Sequence, residues 1–144
     1  MRIFLDTNVL VSVTPRAGLC AELLERILTE PDCELLTGEV NLIELRAVLQ
    51  RPVFNVSKRL IDEIENALRD QTIVARPARP ARLPLRDPDD RWVLAPAIEG
   101  RADVLITGDK DLLDIADQSP VRILSPRELL NRFLGKPGIK FEPQ

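Results

Sequence analysis

Asp6 is the first residue of the chain whose type and position could do chemistry. It ends the apolar run Met1 to Leu5 and opens a polar turn, so a carboxylate stands where a short buried strand would leave the core. A second unit of this kind occurs later, where the apolar run 103–107 is followed by Gly108 and Asp109. In an open parallel sheet, ligands bind outside the carboxyl ends of the strands, so these two acids can face one site.

Two further acids are hard to place as ordinary surface residues. Glu44 lies among apolar neighbours on a predicted helix, where a charge is costly unless something pairs with it. Asp90 begins a predicted helix that can pack close to the strand leading to Asp109. Each acid alone could instead form an Asx-turn, cap a helix or face solvent. Together, converging carboxylates repel one another and need protons or a cation.

The chain contains no histidine, and this narrows the chemistry. Imidazole ligands, a histidine base and Ser-His or Cys-His pairs are excluded. A set of ligands made only of oxygen favours Mg²⁺ or Mn²⁺ over zinc. Aromatic residues are only 3% of the chain, so stacking of bases on side chains is poorly supplied. Contact with nucleic acid would therefore rest on charge and metal, although a net charge of -3 gives little long-range attraction.

Alternating strands and helices must position these acids. Short apolar runs predict strands, and amphipathic or capped segments between them predict helices. The predicted strands are 1–5, 34–37, 72–75, 103–107 and 121–124, and the predicted helices are 19–29, 39–50, 57–70, 87–99, 109–117 and one after Ser125. Ser125 and Glu128 form a capping box, whereas Pro96 predicts a kink within 87–99. The alternation is typical of an α/β fold with a parallel sheet.

Length and composition predict one cytoplasmic domain. A chain of 144 residues fits a single domain, for which we expect residues 1–134, followed by a Pro/Gly-rich tail at 135–144. Cys20 and Cys33 show no CxxC spacing and predict reduced thiols. The sequence contains no secretory start and no apolar run of membrane-spanning length, so no membrane association is expected.

The acidic motifs together resemble those of PIN domains. The segments Asp6 to Leu10, Glu44-Leu45, Asp87 to Arg91 and Thr107 to Leu113 follow the family's order over nearly the whole chain. The resemblance is closest to the VapC-like group of bacterial and archaeal single-domain proteins, which are regarded as toxins of toxin-antitoxin pairs. It implies a three-layer α/β/α PIN-like domain with a central parallel sheet of four to five strands.

The resemblance also implies an Mg²⁺- or Mn²⁺-dependent endoribonuclease that hydrolyses RNA phosphodiester bonds, leaving a 5′-phosphate and a 3′-hydroxyl. An antitoxin protein is the implied partner, and we further expect that exposed helix faces could pair in a homodimer. Carried over by position, the catalytic and metal-binding residues are Asp6, Glu44, Asp90 and Asp109, with Asp111 as an additional acid and Asn8 and Thr107 in support. Asp87 and Asp89 compete for the third position, and the spacing to Thr107 favours Asp90.

Arginines lie beside these motifs and could contact the phosphates that flank the cut. The predicted contacts are Arg46, Arg86 and Arg91, against the alternative of a solvated proline-rich loop. Two other functions stay open. Pro96 could displace Asp90 and leave a catalytically weak PIN-like binding module. A phosphatase of the haloacid dehalogenase type also places an Asp after its first strand, but its second Asp, two residues on, is Asn8 here.

Overall fold

A five-stranded sheet forms the centre of the fold. The computed structural model describes residues 1–13, 18–82 and 90–135, and of Asp90 only the backbone. The strand order within these residues is β3-β2-β1-β4-β5, and all four pairings are parallel. The strands are β1 Arg2–Leu5, β2 Glu34–Gly38, β3 Thr72–Val74, β4 Val104–Ile106 and β5 Arg122–Leu124. The predicted α/β fold with a parallel sheet is confirmed.

Helices cover both faces of this sheet. They are α1 Thr7–Val11, α2 Leu19–Thr29, α3 Glu39–Leu49, α4 Lys58–Arg69, α5 Asp90–Glu99, α6 Lys110–Asp114 and α7 Pro126–Gly135, with short 3₁₀ helices at Pro52–Phe54 and Ala116–Gln118. The predicted helix 109–117 is thus divided into α6 and the second 3₁₀ turn. Within the described ranges, no helix is long and apolar enough to cross a membrane.

The strands alternate their side chains between two apolar cores. Ile3 and Leu5 of β1 face a core shared with α1, α2, α3, α4 and α7. Phe4, between them, faces the second core with Leu94 of α5 and Leu112 of α6. This period of two is the geometry of a strand that is buried on both faces. Two cores around one sheet make the three layers that were predicted.

Local signals in the sequence begin two of the helices. The Ser57 hydroxyl accepts a hydrogen bond from the Leu60 N–H at 3.2 Å and caps α4. Ser125 and Glu128 form the predicted capping box, with each side chain accepting from the other residue's N–H at 3.1 Å. The helix α5 runs through Pro96 as one element. Leu94 and Ala97, on either side of Pro96, are fully buried. Their apolar packing offsets the stability that is lost because proline has no N–H to donate.

Some predictions fall outside the described residues. Those residues include neither Arg86 nor the competing acids Asp87 and Asp89, and the predicted tail at 135–144 shares only its first residue with α7. Cys20 and Cys33 are both free thiols, as predicted, and burial raises the pKa of each thiol.

Candidate metal centre at the carboxyl ends of the central strands

Asp6 is placed by the parallel pairing of β1 with β4. Leu5 pairs with Ile106, so the next residues, Asp6 and Thr107, leave the sheet side by side. The Asp6 N–H continues the ladder by donating to the Ile106 carbonyl at 2.9 Å. Asp6 is 6% exposed and Thr107 is fully buried, so the carboxylate stands at the edge of the core and not in solvent.

Hydrogen bonds fix both oxygens of the Asp6 carboxylate. The Thr7 N–H donates to Oδ1 at 2.7 Å, because Asp6 is the N-cap of α1. The Thr107 hydroxyl donates to Oδ2 at 2.7 Å. The same hydroxyl accepts from the Asp109 N–H at 3.0 Å, and so it ties the loop after β4 to Asp6. The Thr107 hydroxyl thus contacts both Asp6 and the backbone of Asp109.

Asp109 caps the short helix α6 and is half-buried. Its Oδ1 accepts from the Asp111 N–H at 2.9 Å, which leaves Oδ2 outside this capping bond. Asn8 lies across from this loop and accepts from the Gly108 N–H through Oδ1 at 3.4 Å. The loop that carries Asp109 is thus held to β1 and α1 from two sides. Asp109 thus caps a helix, which is one of the alternatives that the sequence left open. Its second carboxylate oxygen, Oδ2, takes no part in this cap.

Glu44 reaches the same end of the sheet from α3. The helix is not buried around its whole circumference, since Ile43 is 59% exposed and Glu44 itself is exposed. Glu44 was expected to be hard to place as an ordinary surface residue, but it is exposed, as the alternative that the sequence left open had it. Its apolar neighbours are divided between core and solvent. The Thr7 hydroxyl nevertheless donates to Glu44 Oε2 at 3.0 Å and directs this carboxylate towards Asp6.

The charges of Asp109 and Glu44 both act on Asp6. Burial is the largest influence and raises the pKa of Asp6, whereas hydrogen bonds from Thr107 and Thr7 lower it. The negative charges of Asp109 and Glu44 raise the pKa of Asp6 further. No Lys or Arg in the described part of the chain forms an ion pair with any of the three. Within the described ranges, no basic side chain therefore compensates the repulsion among these three carboxylates.

The donor set suits a hard divalent cation, but the three acids are not gathered into a coordination shell. Carboxylate and hydroxyl oxygens surround Asp6, and such ligands favour Mg²⁺ or Mn²⁺. Among the residues that the structure describes, no three acids or cysteines lie close enough to hold one ion. The side chain of Asp90, the fourth predicted ligand, lies outside that description, although its backbone begins α5.

Two predicted RNA contacts have intramolecular partners. The Arg46 guanidinium contacts Asp62 at 2.6 Å and Glu65 on α4. Arg91 Nε donates to the Ala81 carbonyl at 2.8 Å and holds the segment after β3 against α5. These bonds give both arginines a structural role, so their contact with RNA stays a prediction.

Two polar residues near the acids were not singled out in the sequence. The buried Thr7 donates to Glu44, and the buried Asn41 donates to Thr7 through Nδ2 at 2.9 Å. Thr7 stands inside the acidic motif, whereas Asn41 lies three residues before Glu44 on the same helix. Asn41 could have been singled out from the sequence, because it is a polar residue one helical turn from the proposed ligand Glu44.

Comparisons with known proteins agree with this fold. A family model described as PIN domain matches residues 2–111, well over half of the chain. The crystal structure of VapBC2 from Rickettsia felis, bound to a DNA fragment from their promoter, is similar with a TM-score of 0.59 and 16% identity, over 87% of this chain and 98% of that one. The structure of VapBC-1 from nontypeable Haemophilus influenzae is also similar. Its TM-score is 0.55 and its sequence identity is 18%, over 88% of this chain and 99% of that one. No curated protein matches the chain.

Proposed function

The chain belongs to the PIN-domain family, and from this premise we propose that it is an Mg²⁺- or Mn²⁺-dependent endoribonuclease. The observation that carries the proposal is the environment of Asp6. This carboxylate is buried at a strand end, and the charges of Asp109 and Glu44 raise its pKa. A fold that keeps uncompensated acids together gives up stability unless a cation joins them.

In this proposal Asp6, Glu44, Asp90 and Asp109 hold the ion, with Asp111 as an additional ligand. When bound, the cation supplies positive charge at the scissile phosphate and lowers the pKa of the attacking water. The hydrolysis would leave a 5′-phosphate and a 3′-hydroxyl.

The chain's own residues orient the acids before any substrate arrives. The Thr107 hydroxyl holds Asp6 Oδ2 and receives the Asp109 N–H, so it sets the relative position of the two carboxylates. Asn8 secures Gly108, the residue before Asp109. Hydrogen bonds that hold the ligands in place favour specific cation binding, although the described acids must still move closer together to share one ion.

The test is cleavage of RNA by the purified chain in Mg²⁺ or Mn²⁺, in EDTA, and by Asp6→Asn. Cleavage should require the metal and should be lost in the variant, which keeps the N-cap but removes the charge. The matched control is Asp103→Asn, at the opposite end of β4, where the side chain accepts from the Arg2 N–H at 2.7 Å. Cleavage without metal, or equal cleavage by Asp6→Asn and wild type, would refute the assignment.

A second candidate is a PIN-like module that binds RNA but cleaves it weakly. It is favoured by the separation of the described acids, which do not form a three-ligand group. Normal RNA binding without metal-dependent turnover would support this alternative. A phosphatase that forms a phosphoaspartate is less favoured, because the residue two positions after Asp6 is Asn8, whose side chain is bonded to Gly108.

We also propose that the chain is the toxin of a toxin-antitoxin pair, with a small antitoxin as its protein partner in the cytoplasm. The similarity in fold to the two VapBC proteins supports this. Expression of the chain alone should arrest bacterial growth, and expression of Asp6→Asn should not. Equal growth in both cultures would remove the support for a toxin while leaving the nuclease assignment to its own test.

A further inference from the structure

A line of hydrogen bonds joins the interior of α3 to Glu44. Asn41 Nδ2 donates to Thr7 Oγ1 at 2.9 Å, and Thr7 Oγ1 donates to Glu44 Oε2 at 3.0 Å. Asn41 and Glu44 are three residues apart on the same helix, whereas Thr7 belongs to α1. The line therefore leaves α3, passes through the neighbouring helix and returns to α3 one turn later.

The direction of each bond follows from the chemistry of its members. An ionised carboxylate can only accept, so the Thr7 hydroxyl must give its single proton to Glu44. Its lone pairs then face the Asn41 amide, which can donate two protons through Nδ2. Asn41 thus keeps the Thr7 hydroxyl turned towards Glu44. Without that donor, the hydroxyl could rotate and leave the carboxylate with its usual rotamer freedom.

Asn41 places an amide in the interior of the protein, where a polar group is costly unless it is paired. Asn41 is 5% exposed, and its Oδ1 has no hydrogen-bond partner among the residues that the structure describes. A buried carbonyl oxygen without a partner is unfavourable, and an apolar residue of similar size would avoid the cost. What such a residue could not supply is the Nδ2 donor that reaches Thr7.

Gly38 makes room for this amide. A Cβ atom built on Gly38 would fall inside the contact distance of Asn41 Oδ1, whereas its next neighbours, Asn41 Cγ and Phe4 Cζ, would lie at 3.5 Å. The φ of Gly38 is -105°, which any residue can adopt. The glycine is therefore required here by the space that Asn41 occupies and not by backbone conformation.

We infer that Asn41 and Thr7 are positioning residues that hold the Glu44 carboxylate in the orientation in which it binds the divalent cation, with Gly38 keeping the space that Asn41 needs. The inference rests on the proposed function only in taking Glu44 as a cation ligand. It assigns no chemical step to either residue. It predicts that cation affinity depends on two side chains that do not touch the cation.

The experiment measures Mn²⁺ affinity by isothermal titration calorimetry, without RNA. Thr7→Val and Asn41→Leu should each weaken binding by about 10- to 100-fold, as for other partners of metal ligands. Thr7→Ser keeps the hydroxyl and should retain an affinity close to that of the wild type. The matched control is Thr37→Val. It alters a buried threonine whose hydroxyl has no hydrogen-bond partner in the described part of the chain, and it should leave Mn²⁺ affinity unchanged.

Two double-mutant cycles separate positioning from general damage to the fold. In a Glu44→Ala background, Thr7→Val should cause no further loss of affinity, because the group it orients is gone. Gly38→Ala should weaken Mn²⁺ binding in the wild type by displacing Asn41. In an Asn41→Ala background, Gly38→Ala should have little effect on Mn²⁺ binding, since the clash with Asn41 Oδ1 is gone and Phe4 Cζ at 3.5 Å is in ordinary van der Waals contact with the new methyl group.

The outcomes divide the inference from the nuclease assignment. Unchanged Mn²⁺ affinity in Thr7→Val and Asn41→Leu, or losses that persist in the Glu44→Ala background, overturn the inference. A wild-type chain that binds no Mn²⁺ overturns it as well. If Mn²⁺ binding follows the predicted pattern but RNA is not cleaved, the positioning roles stand and the nuclease assignment fails.

Discussion

Two acidic regions of this protein are built on opposite rules. The first, called the acidic end, consists of Asp6, Glu44 and Asp109 at the carboxyl ends of the central strands. In it, hydrogen bonds come from hydroxyl and backbone groups, and the pKa of Asp6 is raised. The second, called the paired flank, lies between α3 and α4, where arginines contact every acid and the pKa of Glu65 is lowered. Its members are Glu39, Arg46, Asp62, Glu65 and Arg69.

The two regions differ in whether their carboxylates are paired with positive side chains. On the paired flank, Arg46 holds Asp62 and Glu65, and Arg69 holds Glu39 and Glu65, so every carboxylate has a positive neighbour. The acidic end has no such positive neighbour among the described residues. Perturbed carboxylates that a protein leaves uncompensated are characteristic of functional sites. The acidic end is therefore the region to test for chemistry, and the paired flank is its natural control.

The largest effect should come from removing one charge at the acidic end. Asp109→Asn keeps the cap on α6 but removes a proposed ligand, so metal-dependent RNA cleavage should fall by at least about 100-fold, the upper range for merely supporting residues. Glu65→Gln on the paired flank should leave the cleavage rate unchanged. Single-turnover rates at saturating Mn²⁺ measure both. A comparable loss of cleavage rate in Asp109→Asn and Glu65→Gln would show that the two regions do not differ in function.

Cation binding should stabilise the fold only through the acidic end. A ligand at about 100 times its dissociation constant raises the free energy of unfolding by about 2.7 kcal/mol. Mn²⁺ should thus raise the Tm of the wild type and of Glu65→Gln, with no rise for Asp6→Asn. Thermal melts with Mn²⁺ and with EDTA make the comparison. A rise in Tm of the same size in Asp6→Asn would place the cation elsewhere.

In EDTA, the pH dependence of stability should reveal the raised pKa of Asp6. The folded state binds this proton more tightly than the unfolded chain, so the favourable contribution is complete below the ordinary pKa of 3.8 and is lost as the pH rises through the folded value. Asp6→Asn has no such loss. Its stability relative to wild type should therefore increase as the pH is raised from below 3.8, as urea titrations over a pH series would measure. A difference that is independent of pH would contradict the raised pKa.

The smallest effect should come from Arg46→Met on the paired flank. The ion pairs are partly exposed, so their loss should lower the Tm only slightly, and 1 M salt should shrink the difference from wild type. The same variant tests the predicted RNA contact. If Arg46 serves α4 alone, the KM for RNA stays unchanged. A raised KM with an unchanged kcat would show that Arg46 also binds a phosphate.

The sequence predicted those parts of the site that depend on local order. Asp6 could be located because it directly follows β1, and Asp109 because it lies three residues after the end of β4, while the capping box of α7 needs only residues three positions apart. The order of strands in the sheet is not written in such patterns. It depends on which covering helices pack together, and the periodicities of the individual strands do not encode this.

The roles of Thr7, Asn41 and Arg46 depend on helix packing and could not be predicted locally. Thr7 meets Asn41 only because α1 lies against α3, and Arg46 meets Asp62 and Glu65 only because α4 does. The sequence left open whether Glu44 faces solvent, and packing of the helix decides that it does. Its neighbours are apolar in sequence, but Ile43 turns to solvent at that point of the helix. Contacts between helices thus determine which side chains are buried and which partners they have, and the composition of a single helix does not.

The central position of β1 has a consequence for synthesis on the ribosome. Asp6 is made before β2, β3 and β4, yet its hydrogen bond to Thr107 spans 101 residues of sequence. Until residue 109 has left the exit tunnel, the emerging chain can pair β1 with β2 but cannot complete the acidic end. Whatever this site does, a nascent chain cannot do it, and truncated translation products that stop before β4 should be inert.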